Sequence, residues 1–151
     1  MDSARGIALP TAVATLFAAA ALIAVVPAAQ ADQTTVAVAL VDQGMDSMHL
    51  DMSTDHVRAG KVTFDVTNKS ENLVHEFVLT RWNQPVALVP YDDNEKEADE
   101  DKLEVVNEID GLDPGKSGTL TVTLEPGTYT ILCNKVGHFK AGMVHTLTVT
   151  Q

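Results

Sequence analysis

The residues of this chain best suited to chemistry lie on one short segment. Cys133, the only cysteine of the 151-residue sequence, is followed by His138 and then by Met143. A thiolate, an imidazole and a weakly bound thioether suit copper, because soft sulfur stabilises Cu(I) and imidazole binds both Cu(I) and Cu(II). The residue types and their spacing therefore predict three ligands of a copper site on one loop.

A trigonal site with two histidines and one cysteine needs another imidazole from elsewhere in the chain. His75, on a strand-like run that includes Val74 and Phe77, is the best candidate. Taken alone, an isolated histidine on a strand is more often an ordinary core or edge residue, and a lone methionine is more often core packing. An inert buried cysteine is also common, so a metal-free reading of Cys133 stays open at this point.

Several segments around these residues resemble the cupredoxins, the blue copper proteins that include plastocyanin and azurin. The matching segments are the run from Asn68 to His75, the turn Gly111-Leu112-Asp113-Pro114-Gly115 and the turn Glu125-Pro126-Gly127-Thr128-Tyr129. The resemblance implies one copper ion per chain, held by His75, Cys133, His138 and Met143, and one-electron transfer without substrate turnover. It also implies that His138 lies near the surface within an apolar collar. Glu76 departs from azurin, which has an asparagine after the upstream histidine.

The first residues have the pattern of a cleaved secretory signal. Arg5 precedes an apolar, alanine-rich run from Ile7 to Val26, and Ala29-Gln30-Ala31 fits a signal-peptidase site. We expect residues 1–31 to be removed and the protein to be periplasmic or otherwise exported, with no membrane association afterwards. An uncleaved membrane anchor is the alternative. In an oxidising compartment a single cysteine cannot build a disulfide scaffold, and metal ligation would protect its thiol.

Residues 32–151 have the pattern of a single all-β domain. Short runs rich in valine and threonine are separated by turn signals, and residues such as Val62, Phe64 and Val66 alternate with polar neighbours. About eight such runs occur, which is the number expected for a Greek-key sandwich of two sheets.

Charge is distributed unevenly along the chain. The net charge is −11, and an insertion near residues 91–102 is dense in aspartate and glutamate. This excess excludes nucleic acid and anionic membrane surfaces as partners and favours a basic, cytochrome-like redox protein. We expect Tyr91 to Lys102 to form a solvated loop or a short exposed helix, acting as a solubilising face or as a docking patch, on a monomeric protein.

A second group of residues could bind metal. Met45, Met48, His49 and Met52 offer thioethers that favour Cu(I), which would suit a copper-tolerance protein that buffers or delivers copper. The alternative is that Met48 and Met52 continue the inward face of a strand.

Two further classes of protein compete with an electron carrier. A multicopper enzyme would need more than the five histidines of this chain. A metal-free sandwich of immunoglobulin type would leave Cys133 inert.

Overall fold

The computed structural model describes residues 34–45 and 47–151, so the expected signal peptide lies outside the described residues. The described chain contains eleven strands and two single 3₁₀ turns. The strands are β1 (Thr34–Asp42), β2 (Met48–Met52), β3 (His56–Arg58), β4 (Gly60–Asn68), β5 (His75–Arg81), β6 (Tyr91–Asp92), β7 (Glu97–Ala98), β8 (Glu104–Leu112), β9 (Ser117–Leu124), β10 (Gly127–Leu132) and β11 (Val144–Thr150). The 3₁₀ turns span Val86–Leu88 and Glu100–Lys102.

Nine of these strands form two sheets that pack face to face. The first sheet has the order β2-β1-β4-β9, and the second has the order β3-β11-β10-β5-β8. The pairs β1–β4 and β3–β11 are parallel, and the other neighbours are antiparallel. The predicted all-β, two-sheet sandwich is confirmed. The eight predicted strands correspond to β1, β2, β4, β5 and β8 to β11, and the three unpredicted strands have two or three residues each.

The core between the sheets follows from the two-residue period of the strands. Val62, Phe64 and Val66 on β4 are fully buried, as the alternation predicts. Phe64 meets Phe77 of β5 across the sandwich, with ring centroids 5.1 Å apart. Contact between aromatic rings from opposite sheets holds the two layers together through buried apolar area and favourable ring geometry.

The second sheet is also covered on its outer face. Val78 of β5 and Leu132 of β10 are paired in register and point away from the main core, yet both are buried. They belong to a second apolar cluster with Val89, Ala98 and Leu103, which come from the long connection between β5 and β8. A strand whose consecutive residues are all apolar is typically buried on both faces of its sheet. Here the connection between β5 and β8 covers the outer face.

The acidic segment Tyr91 to Lys102 agrees only in part with its sequence-based expectation. Glu100–Lys102 is a short 3₁₀ helix with no buried residue, as expected, whereas the first part of the segment forms the β6–β7 hairpin, which was not predicted. Its charged side chains are half-buried or exposed, whereas Ala98 is buried in the outer cluster. The segment contains few apolar residues, and its sequence therefore suggested that it does not pack. Ala98, together with the half-buried Tyr91, is nevertheless enough to attach it to the sheet.

A buried asparagine fixes the turn that leads into β5. Asn68 is fully buried, and its amide nitrogen donates to the carbonyl oxygens of Leu73 and Leu112 at 2.8 Å each. Its side-chain oxygen accepts a bond from the backbone of Ser70 at 2.8 Å. One side chain therefore satisfies three backbone groups and sets where His75 begins its strand.

We expect Asn68→Ala to lower the free energy of unfolding by about 2–4 kcal/mol, since each buried carbonyl left without a donor costs about 1–3 kcal/mol. Chemical denaturation monitored by circular dichroism measures the change. Asn72→Ala is the matched control, because Asn72 is an exposed asparagine on the same turn. Equal stability of the two variants would contradict this role for Asn68.

Candidate metal centre

The alternation of side chains along a strand brings two of the predicted ligands to the inner face of the second sheet. On β5, His75 shares the inward face with Phe77, and both are fully buried. Cys133 follows β10 and lies on the inward side with Ile131, also fully buried. Because β5 and β10 are hydrogen-bonded neighbours, the two side chains meet at one end of the sandwich.

The ligand atoms of His75, Cys133 and His138 form a small triangle. The two histidine Nδ1 atoms are 3.1 Å apart, and Cys133 Sγ lies 3.3 Å from Nδ1 of His138 and 3.8 Å from Nδ1 of His75. A point equidistant from three atoms so separated is about 2.0 Å from each, a usual bond length from a first-row metal ion to imidazole nitrogen. The donor set and its spacing therefore fit one metal ion.

Met143 is held next to this triangle by the backbone of the loop from Cys133 to Met143. The Met143 N–H donates to the carbonyl of His138 at 3.1 Å, and the Cys133 N–H donates to the carbonyl of Met143 at 3.0 Å. The Met143 side chain is fully buried in the same core cluster as Cys133. All three loop residues predicted as ligands are thus tied together by main-chain bonds.

Two glycines let the loop fold back on itself. Gly137 and Gly142 have φ values of +81° and +106°. A Cβ at Gly137 would meet nothing within 4 Å, whereas a Cβ at Gly142 would lie 2.7 Å from the carbonyl oxygen of Met48. Gly142 is therefore required for both its dihedral angle and its close approach to β2.

The Cys133 sulfur accepts backbone hydrogen bonds from both ligand-bearing segments. The Glu76 N–H lies 3.3 Å from Sγ, and the Lys135 N–H also bonds it. Burial nevertheless raises the pKa of the thiol to about 11, and the two amides only oppose that rise. Since a metal binds the thiolate, binding at neutral pH must displace the thiol proton, and the two amides then stabilise the bound sulfur.

The two histidines present a nitrogen to the site for different reasons. His75 directs Nε2 to Oδ2 of Asp42 at 3.1 Å, which leaves Nδ1 facing the other ligand atoms. For His138, burial is the main cause that lowers the pKa of the ring, and the proximity of His75 is the second cause. The lowered pKa favours the neutral imidazole that metals bind.

His138 is also the member of the set nearest to solvent. It is 5% exposed, whereas His75, Cys133 and Met143 are 0% exposed. Val136, two residues before His138, is 57% exposed, and Val74, directly before His75, is 39% exposed. An exposed apolar side chain thus lies close in sequence to each of the two histidines.

An ion-pair network joins the two ligand-bearing segments. Lys135 Nζ lies 2.9 Å from the Glu76 carboxylate and 2.8 Å from the Asp110 carboxylate. Burial raises the pKa of Glu76, whereas its hydrogen bond to Lys135 opposes the rise. Glu76 directly follows His75, and Lys135 lies two residues after Cys133, so this ion pair links the two segments that carry the predicted ligands.

The acidic segment braces the ligand loop from outside. Asn134, next to Cys133, accepts a bond from the Ala98 N–H at 2.6 Å and donates to the Ala98 carbonyl at 2.9 Å and to the Glu100 carboxylate at 2.7 Å. The Gly137 N–H donates to the carbonyl of Lys96 at 2.8 Å. These contacts fix the loop on both sides of Lys135.

Aromatic packing adds to this brace. The ring of Phe139 stacks on Tyr91 with centroids 5.9 Å apart, and Lys140 Nζ lies 4.4 Å from the centre of the Tyr91 ring. The residue after His138 is therefore pinned to β6, which limits the movement of His138 itself.

The sequence matches a known family model over almost all of the described residues. Residues 36–150 match the model of copper-binding proteins of the plastocyanin/azurin family. The chain belongs to this family. Its cofactor is copper, and the grouped side chains of His75, Cys133 and His138 fit one ion per chain. No curated protein sequence matches the chain significantly.

Solved structures of blue copper proteins have the same fold. Auracyanin from Roseiflexus castenholzii, determined in its dithionite-reduced form, is 26% identical, with a TM-score of 0.59 over 78% of this chain and 98% of that chain. Rusticyanin from Thiobacillus ferrooxidans is 20% identical, with a TM-score of 0.59 over 80% of this chain and 79% of that chain.

The side chains of the methionine-rich segment lie in different surroundings. Met48 is buried in the main core and Met52 packs against it, as the structural alternative predicts. His49, on the opposite face of β2, lies 3.6 Å from Asp51, and Met45 is 55% exposed.

Among residues 34–45 and 47–151, no helix is long and apolar enough to cross a membrane.

Sequence reasoning missed three residues that shape the site: Asp42, Asn134 and Lys135. Asp42 ends β1, far from His75 in sequence, and no local pattern marks it as a histidine partner. Asn134 and Lys135 directly follow Cys133, and a polar pair after a predicted ligand is the one signal that could have indicated support for the loop.

We expect Gly142→Ala to destabilise the copper-free protein more than Gly137→Ala does. Both substitutions force alanine into a left-handed conformation at a cost of about 1–3 kcal/mol, but only the first adds a clash with β2. Thermal unfolding of both variants measures the difference. If the two variants lose equal stability, the close approach to Met48 does not constrain the loop.

Proposed function

We propose that this protein is an exported electron carrier that holds a single type 1 copper ion and turns over no substrate. The observation that carries the proposal is the buried triangle of His75, Cys133 and His138, with Met143 on the same loop. His75, Cys133 and His138 would hold the ion, and Met143 would supply a weaker fourth donor. When bound, copper supplies a one-electron couple between Cu(II) and Cu(I).

The surroundings of these residues suit electron transfer. Backbone bonds within the loop, the Glu76–Lys135 ion pair and the brace from the acidic segment hold the ligand side chains from three directions. A site that is held rigidly keeps similar geometry in both oxidation states, so little reorganisation accompanies electron transfer. The burial of Cys133 and Met143 excludes water from the sulfur ligands, and the slightly exposed edge of His138 offers the shortest route to a partner.

Copper buffering or delivery in copper tolerance is the alternative function. It would use the same four residues together with Met45, Met48, His49 and Met52. The opposite orientation of His49 and Met48 on β2 favours the electron carrier, because a chelating site needs its donors on one face.

Titration of the purified protein with Cu(II) is expected to give one equivalent per chain and an intense visible thiolate-to-copper absorption. Cys133→Ala should abolish the absorption, whereas Met143→Leu should retain it and raise the reduction potential, since a lost axial donor disfavours Cu(II). Absorption spectroscopy and voltammetry measure both effects.

The competing functions give different results when the protein is titrated with Cu(II) and, under reducing conditions, with Cu(I). A colourless adduct would contradict the type 1 assignment. A second equivalent of Cu(I), lost in the double variant Met45→Leu and Met48→Leu, would support copper buffering instead.

We further propose that the redox partner is a basic protein that docks near the acidic segment. Exposed carboxylates of this segment, including Asp93, Glu95 and Asp101, lie on the structure that contacts the ligand loop directly. A partner attracted to these charges would be brought close to the copper site. Opposite charges accelerate encounter by roughly 10 to 1,000 times at low salt.

The rate of electron exchange with a basic c-type cytochrome should fall as ionic strength rises, on the order of tenfold across the range where charges become screened. The triple variant Asp93→Asn, Glu95→Gln and Asp101→Asn should react more slowly at low salt and show a flatter salt dependence, measured by stopped-flow absorption. A control variant with the same charge change, Asp55→Asn, Asp65→Asn and Glu125→Gln, removes exposed carboxylates that lie outside the acidic segment and the ligand loop. Equal effects of the two triple variants would show that net charge, not this surface, governs the encounter.

A further inference from the structure

Asp42 makes a polar contact with His75 on the side that faces away from the predicted copper ligands. Its Oδ2 lies 3.1 Å from Nε2 of His75, on the far side of the ring from Nδ1. His75 is 0% exposed, so the ring nitrogen that faces away from the ligand triangle has no solvent to bond. A neutral imidazole with Nδ1 free for a metal must carry its proton on Nε2, and Asp42 is the acceptor for that proton.

The Asp42 carboxylate is itself held in place. Its side chain is only 12% exposed, and its Oδ1 accepts a bond from the Gly44 N–H at 3.5 Å. The Ser70 hydroxyl also bonds the carboxylate, and this bond, ahead of the contact with His75, lowers the pKa of Asp42. The turn that contains Ser70 is the one fixed by Asn68, so the same turn positions His75 and its partner.

The negative charge of Asp42 lies next to His75. Within the described part of the chain, the ion pairs do not include one between Asp42 and a lysine or arginine. Because the carboxylate is largely removed from water, its field at the buried ring is screened less than that of a surface charge. A negative charge behind a ligand stabilises the more positive oxidation state of the bound ion and makes the imidazole a stronger donor.

We propose that Asp42 is a positioning residue that fixes the Nε2–H tautomer and the ring orientation of His75 and that its negative charge lowers the reduction potential of the copper site. The inference rests on the proposed function, since it assumes that His75 is a ligand. It adds a residue outside the ligand set and assigns the charge of that residue, as distinct from its hydrogen bond, to the potential.

The amide variant Asp42→Asn separates charge from hydrogen bonding, because its side-chain oxygen can still accept the proton of Nε2. We expect it to keep the visible absorption and to raise the potential by about 59 mV or more, which corresponds to a tenfold change in the ratio of Cu(II) to Cu(I) affinity. Asp42→Ala removes the acceptor as well and is expected to weaken Cu(II) binding by a further factor of about 10 to 100.

Asp51→Asn is the matched control, because it removes the same charge from β2, the strand beside β1, where the Asp51 side chain is 68% exposed. Equal shifts of potential in Asp42→Asn and Asp51→Asn would overturn the inference, as would an unchanged potential in Asp42→Asn. If the copper adduct of His75→Ala shows the same visible absorption as that of the unsubstituted protein, the ligand assignment is wrong, and the inference is overturned with it.

The tautomer provides a test that needs neither a variant nor copper. Nitrogen-15 NMR of the histidine rings in the copper-free protein is expected to show His75 protonated at Nε2 and unprotonated at Nδ1. A ring protonated at Nδ1 would overturn the inference.

Discussion

The structure depends on keeping three side chains that could bind a metal ion buried within about 4 Å of one another at the end of an apolar sandwich. Burial of a polar group costs free energy unless a partner satisfies it. The ring of His75 is satisfied by Asp42, and the sulfur of Cys133 by the amides of Glu76 and Lys135. Nδ1 of His75, Nδ1 of His138 and Sγ of Cys133 then face a common centre. This arrangement leaves the three atoms positioned to bind a metal ion.

Strand geometry alone does not hold such a centre, because the loop from Cys133 to Met143 lies beyond the ends of its strands. The chain stabilises the loop from two sides. Gly142 lets the loop pass directly against β2, and Asn134 ties it to the β6–β7 hairpin. The hairpin itself is fastened through the outer apolar cluster over β5 and β10. The second sheet thus carries ligands on its inner face and the support for the ligand loop on its outer face.

The sequence was enough to predict the features that depend on local pattern. Alternating apolar residues predicted the main strands, and the spacing of Cys133, His138 and Met143 predicted a common loop. The role of Asp42 could not be predicted, because its contact with His75 depends on how β1 sits against the turn before β5. The cover over Val78 was also missed, although the consecutive apolar residues Phe77, Val78 and Leu79 indicate a strand buried on both faces.

The acidic segment serves structure and charge largely through different atoms, and the exception is the Glu100 carboxylate, which accepts a hydrogen bond from Asn134. The bonds to the ligand loop come largely from the backbone of Ala98 and Lys96, and the packing comes from the ring of Tyr91. Carboxylates such as Asp93 and Glu95 point to solvent, with no packing role that would fix their identity. Charge on this surface can therefore vary without loosening the ligand loop, whereas the backbone path of the hairpin cannot.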